Sequence, residues 1–254
     1  DTTHNMIRRF DTNFANTFNW GGGGPGFTAG NEDSGVGGWA NGRFFAPQGI
    51  AIGSNGVVYV ADTGNNLIRQ IATNGTVTTI PTTGFTLNAP RGIAVYQTAD
   101  PVWVSGFSSN AALAAVFNTS FSSGTNLYIA DSANHRVLWL QASNGTWATI
   151  KLAGSGISGR VDNLRSVAQF NQPSGLSLDG SGNLYVADTG NNIIRKVTPL
   201  GAVQTIAGDF AGGTSGNVNN NAGLTARFNN PRGVVADYYG GIFVADFGNN
   251  SIRS

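Results

Sequence analysis

Five aspartates recur along the chain at Asp1, Asp62, Asp131, Asp188 and Asp246, with gaps of 61, 69, 57 and 58 residues. Four of them sit in a nearly constant phrase: "ADTGNN" at 61–66 and again at 187–192, "ADSANH" at 130–135 and "ADFGNN" at 245–250. Seven residues on stands an arginine in four of the five copies, Arg8, Arg69, Arg195 and Arg253, while the third copy has Leu138. Two chemistries suit a carboxylate repeated in this way. A ring of carboxylates can ligate a cation. Alternatively, each accepts backbone N–H bonds in a turn, as Asp and Asn side chains do, and the Gly and Asn that follow tolerate left-handed φ. Recurrence together with turn chemistry favours the structural reading. It extends to the arginines, each expected beside a carbonyl or carboxylate of its own or the neighbouring unit, where a charged hydrogen bond contributes about 1.5–3 kcal/mol.

Other reactive groups are few. The absence of cysteine excludes a disulfide, a thiolate nucleophile and a Cys-ligated metal. His4 and His135 are too few for a three-histidine zinc site, and "NHR" at 134–136 reads as ordinary repeat sequence. There is no G-x-S-x-G elbow and no paired-carboxylate signature. "GGGGPG" at 21–26 lacks the Lys-Ser/Thr ending of a phosphate loop, and "NEDSG" at 31–35 lacks the spacing of an EF-hand. No catalytic residue, metal or cofactor is expected.

The elements that must position the aspartates follow from the punctuation. A Pro-x-Gly lies fifteen residues before three of them, at Pro47–Gly49, Pro173–Gly175 and Pro231–Gly233. The fourth, Pro90–Gly92, lies 41 residues before Asp131, so that unit carries an insertion at about 96–126. Each full unit holds four short strand-like runs: "GIAI" after the first Pro-x-Gly, "VVYVAD" into the aspartate, "NLIRQI" after it, then "GTVTTI". Short strands separated by regular turn signals indicate an all-β meander. The second run is apolar on both faces, so it is covered on both sides. Asn74-Gly75 and Asn144-Gly145 are expected to supply the positive φ angles of two-residue hairpins. Four-stranded antiparallel meanders stacked radially form a β-propeller. The count is two strands, three units of four, then three: about four blades plus part-blades.

The phrase "P-x-G-I-A-…-G-N-L-Y-V-A-D-T-G-N-N-I-I-R-K-V" resembles the NHL-repeat β-propeller family over nearly the whole chain, and "TIAGDFAGGTSGNVNNNAGLTARFNNPRG" resembles its longer variant. The resemblance implies a single propeller domain, or a segment of one, over residues 1–254. It also brings in functions known among related propellers: protein binding, metal-dependent hydrolysis or lysis, and RNA binding.

Topology places the aspartate turns on the same face as the long Gly-rich linkers, where binding is expected. Candidate binding residues there are Trp39, Arg43, Arg160, Asp162, Arg165 and Asp209. Phe45, Phe170 and Phe228, just before Pro-x-Gly, are expected in the core between blades. The insertion holds Trp103, Phe107, Phe117 and Phe121, which either pack over the propeller base or form an apolar contact surface.

With a net charge of +1 and scattered basic residues, nucleic acid is not favoured. No apolar run is long enough to span a membrane. Low charge with abundant Gly, Asn, Ser and Thr leans toward an extracellular or cell-surface location, and sequons stand at Asn74, Asn118, Asn144 and Asn249. The expectation is a non-enzymatic binding or assembly module for proteins, further copies of itself or glycans. A propeller hydrolase or lyase with a central metal is the alternative, and an RNA-binding propeller the third reading. Because strand three occurs at both ends, flanking sequence or a neighbouring copy is expected to supply the missing strands.

Overall fold

The computed structural model describes residues 1–10, 17–21, 29–34, 42–97, 124–143, 145–209, 212, 214–219, 223–237 and 240–254. Trp39, the insertion residues Trp103, Phe107, Phe117 and Phe121, and the sequons Asn118 and Asn144 lie outside them. The described residues form an all-β propeller of antiparallel sheets with no α-helix. A two-stranded part-blade comes first, β1 (Ile7–Phe10) and β2 (Thr17–Gly21). The first blade is β3 (Gly49–Ile52), β4 (Val58–Asp62), β5 (Leu67–Ile71) and β6 (Val77–Ile80). The second is β7 (Pro90–Gln97), β8 (Thr125–Asp131), β9 (Arg136–Ser143) and β10 (Thr146–Ala153). The third is β11 (Pro173–Leu178), β12 (Leu184–Asp188), β13 (Ile193–Val197) and β14 (Val203–Ala207). The fourth has three strands, β15 (Pro231–Ala236), β16 (Ile242–Asp246) and β17 (Ser251–Arg253). In every sheet the strands lie in chain order, so each blade is a simple meander.

The first strands pack on one another in series, β3 on β7, β7 on β11 and β11 on β15, which sets them around the common axis. Second strands are sandwiched between blades, and β4 and β12 are buried at every residue. One core joins Tyr59, Ala61 and Ile68 of the first blade to Ile93, Leu127, Ile129 and Leu138 of the second. Equivalent cores join the second blade to the third and the third to the fourth.

The glycine of Pro-x-Gly is required by close approach between blades. A Cβ on Gly49 would lie 2.1 Å from the Arg91 carbonyl oxygen, one on Gly92 1.8 Å from that of Ser174, and one on Gly175 2.5 Å from that of Arg232. The axis is therefore lined by backbone packed directly on backbone.

Two local expectations are corrected. Phe45 is 46% exposed, and the residue three before proline that enters the core is Phe44, matching Phe170 and Phe228. At the 74–75 hairpin only Gly75 takes a positive φ, 85°. The Ala72 N–H donates to the Thr76 carbonyl and the Gly75 N–H to the Ala72 carbonyl, so the loop is a turn closed by a left-handed glycine, with one more residue than a primed two-residue hairpin has.

Gly92→Ala is expected to destabilise by about 1–3 kcal/mol or more, since neither backbone at the axis can retreat. Gly233→Ala should cost much less, because its Cβ would meet only a side-chain atom, the Ala245 Cβ at 3.3 Å, which needs to give by a few tenths of an ångström. Urea denaturation of the two variants checks the contrast, and equal losses would refute the close-approach account.

Candidate binding surface

The aspartate turns are built alike. Each aspartate ends strand two and leads into a single 3-10 turn, such as Thr63–Asn65, Ser132–Asn134 or Thr189–Asn191. The turn closes on a left-handed residue, Asn66, His135, Asn192 or Asn250, with φ between 51° and 57°. Asn suits this conformation because its short polar side chain tolerates the left-handed well.

The aspartate side chain caps no backbone N–H of its own turn. Its Oδ1 accepts a backbone N–H from the linker entering the same blade: Phe45 to Asp62, Asn88 to Asp131, Asn171 to Asp188 and Asn229 to Asp246, all at 2.7–2.8 Å. Its Oδ2 accepts from the Asn three residues on, at 2.8 Å in all four blades. That amide also donates to a linker carbonyl, Gly30, Thr86, Gly159 or Gly216. Oδ2 further accepts from arginine, 3.1 Å from Arg69, 2.9 Å from Arg195 and 2.9 Å from Arg253. The carboxylates of Asp62, Asp131, Asp188 and Asp246 are fully buried.

Arg69 and Arg195 are also fully buried. Arg69 donates to the Arg43 and Glu32 carbonyls and to Asp33, and Arg195 to the Gln169 and Val161 carbonyls and to Asp162. Each guanidinium lies over a core phenylalanine, Phe44 or Phe170, at 5.2 or 5.0 Å from the ring centre. At the chain start Arg8 reaches Asp1 at 3.4 Å.

The third copy, with Leu138 at the arginine position, solves the same problem differently. Arg136, two residues earlier, donates from Nε to Asp131 Oδ2 at 2.7 Å and from Nη2 to the Thr86 carbonyl, over the ring of Phe85. Its signal in the sequence was the "HR" pair standing where other copies have an uncharged residue. His135 has a local duty as well: its Nδ1 accepts the Gln172 N–H at 3.2 Å, where other copies use Asn Oδ1 for the residue before the next proline.

The linker residues expected to bind are dispersed. Asp162 serves Arg195 and Thr205. Asp209 accepts from Gly212 and Thr214 and lies 3.5 Å from Arg227. Arg43 pairs with Glu32 at 3.7 Å. Arg165 donates to the Leu200 carbonyl, and Arg160 leaves Nη1 buried without a partner. Among the described residues no three His, Asp or Glu side chains gather as a metal site. Of the described sequons, Asn74 is exposed at a hairpin tip. Asn249 already donates through Nδ2 to Gly216 and Asp246, so a glycan on that nitrogen would break the turn.

Exposed apolar surface, with no polar signal in the sequence to mark it, lies on the fourth blade. Val235, Phe243 and Ile252 are 60%, 48% and 73% exposed. Phe243 occupies the position of Tyr59, Tyr128 and Tyr185, and Ile252 that of Ile68, Val137 and Ile194, all buried between blades. A cavity of ≈ 710 Å³ lies beside it, lined by Ile194, Ile206, Phe228, Ile242, Val244 and Ile252. Between the second and third blades, Val197 and Val203 belong to the core at the corresponding place.

Burial pushes the Asp188 carboxyl up to about 6, against the downward pull of the Arg195 charge and of the Asn171 and Asn191 hydrogen bonds. Burial likewise raises Asp62. A raised carboxyl value means that the folded state holds its proton more tightly than the unfolded chain. Stability linked to it is then full at low pH and lost as pH rises through the folded value. Arg195→Ala should cost about 3–5 kcal/mol near neutral pH by stranding a buried charge. Because losing the Arg195 charge pushes the variant's Asp188 further up, its deficit should shrink as pH falls from the variant's value toward the wild-type value of about 6, and level off below it. Denaturation at a series of pH values tests this, and a pH-independent deficit would rule Asp188 out as the stranded group.

Comparison with known proteins gives this architecture a place. A family profile described as the Teneurin NHL domain matches residues 20–254. NHL repeat-containing protein 2 of Homo sapiens is 33% identical over 238 residues, covering 83% of this chain and 31% of that protein. The chain thus spans about a third of the length of that curated relative. In fold it is similar to an auxiliary nutrient binding protein from Bacteroides thetaiotaomicron, with TM-score 0.64 and 19% identity over 95% of this chain and 50% of that one. It is also similar to a catalytically inactive virginiamycin B lyase from Staphylococcus aureus, with TM-score 0.54 and 14% identity over 99% of this chain and 59% of that one. With the profile covering all but the first nineteen residues, the chain belongs to the NHL-repeat family.

Proposed function

We propose that this propeller is a non-enzymatic scaffold for contacts with other polypeptide, further copies of itself included, working outside the cell or at its surface. The observation that carries the reading is the apolar face of β15–β17. Phe243 and Ile252 stand at positions that are buried against a neighbouring blade three times elsewhere among the described residues. Covering a residue such as Phe243 or Ile252 contributes about 1.5–3 kcal/mol each, and an apolar face of this kind marks a site of association. The groups able to do chemistry support the same reading, because they already have structural duties. His135 accepts from the next blade, and each repeat carboxylate in the four blades accepts a linker N–H, an asparagine amide and an arginine.

Light scattering after size exclusion, over a range of protein concentrations, tests the proposal. The expected result is concentration-dependent self-association that Phe243→Asp with Ile252→Asp removes. Both side chains are exposed, so the double variant should keep the wild-type melting temperature. A monomer at every concentration would overturn self-association, and association indifferent to the double substitution would overturn the role of this face.

A further inference from the structure

The residue between proline and glycine in the four Pro-x-Gly motifs is Gln48, Arg91, Ser174 or Arg232. These positions follow one another around the axis, each carbonyl packed against the glycine of the blade before it in the three pairs from Gly49 to Arg232. They lie at the level of the aspartate turns, since Pro90 pairs with Asp131 and Pro231 with Asp246. Two arginines therefore flank Ser174 at one end of the axis.

Neither has a carboxylate partner among the described residues. Arg91 has a buried Nε without a hydrogen bond. Arg69 and Arg195 leave the same nitrogen unbonded, but their Nη1 and Nη2 atoms are all engaged. Arg232 lies over Phe247, its guanidinium carbon 3.8 Å from the ring centre. Stacking on a ring fixes the plane of a guanidinium and leaves its edge donors for a planar oxyanion. Ser174 Oγ donates to the Arg232 carbonyl, which ties the two neighbouring strands together at this level.

The surrounding charges do not neutralise the pair. At this level Asp62, Asp131, Asp188 and Asp246 are buried and each is matched by its own arginine, Arg69, Arg136, Arg195 or Arg253. Asp33 and Asp162 give Arg69 and Arg195 a second carboxylate, but on the far side of those arginines, along the outer edge of the blades. The charges next to the axis are those of Arg91 and Arg232, close to low-dielectric blade walls that strengthen their field.

We propose that this end of the axis binds an oxyanion, the carboxylate or phosphate group of a small ligand, between Arg91 and Arg232. Anion binding and association are read by different measurements, calorimetry and mass, so either can fail without the other.

The test titrates the purified chain calorimetrically at low ionic strength, with inorganic phosphate and separately with glutarate. One saturable site is expected for at least one probe, and the stronger of the two identifies the chemistry of the natural group. Arg91→Gln and Arg232→Gln should each weaken it at least tenfold. Arg227→Gln, at a linker pair away from the axis, should leave it unchanged. Melting curves establish that each variant is folded; should Arg91→Gln fail to fold, Arg232→Gln carries the test, its side chain being exposed. No saturable binding by either probe, an affinity unaltered by substitution at the axis, or an equal loss in Arg227→Gln would overturn the proposal.

Discussion

Everything in this propeller hangs on a carboxylate held out of water. Burying an ion costs several kcal/mol unless its charge and lone pairs are met, and here they are met from three directions. A linker N–H, an asparagine amide and an arginine converge on Asp62, and the same set of donors recurs at Asp131, Asp188 and Asp246. The cost is offset only when all three are present, so the aspartate acts as a checkpoint on local structure. A linker cannot drift from its blade without leaving the carboxylate short of a donor. The described parts of the Gly- and Asn-rich linkers are anchored in this way, though they carry little apolar content.

The arginine carries the constraint outward. Its far side donates to linker carbonyls and to Asp33 or Asp162, so one side chain spans from strand three to the segment along the blade's outer edge. That segment in turn bonds to the outer strand: Ser34 N–H to the Val77 carbonyl, and Val203 N–H to the Asn163 carbonyl. Edge strands with unpaired groups are liabilities, and in the first and third blades the linker answers them. The second blade, whose preceding linker is shorter, replaces the arginine at Leu138 by Arg136 and fills the vacated place with leucine in the core.

Sequence patterns gave access to what repeats. The aspartate, its arginine and the four strand-like runs recur at nearly fixed spacing, which is enough to read the propeller, the strand count and the family. What stayed hidden has no period. Arg136 sits two residues off the repeat position and looks like a surface basic residue until Asp131 is seen beside it. Asp33 and Asp162 lie in irregular linkers and meet their arginines 36 and 33 residues away, with nothing in the local sequence to distinguish them from binding residues. Phe44 and Phe45 are adjacent and identical, so only the backbone path decides which one enters the core. The glycine of Pro-x-Gly was legible as a motif, but its cause, a carbonyl from the next blade, belongs to another part of the chain.

The links between blades all point forward. Thr2 donates to the Pro47 carbonyl, Thr63 to that of Pro90, Ser132 to that of Pro173 and Thr189 to that of Pro231. The left-handed residue of each of these turns accepts the N–H just before the same proline. Among the described residues these links fasten each blade to its neighbours, as in other repeat proteins whose stability is a chain of nearest-neighbour terms. During synthesis, a blade can dock on its predecessor as soon as its own first strand has left the ribosome, without waiting for distant sequence. A propeller, for all its circular symmetry, can then be assembled as a line.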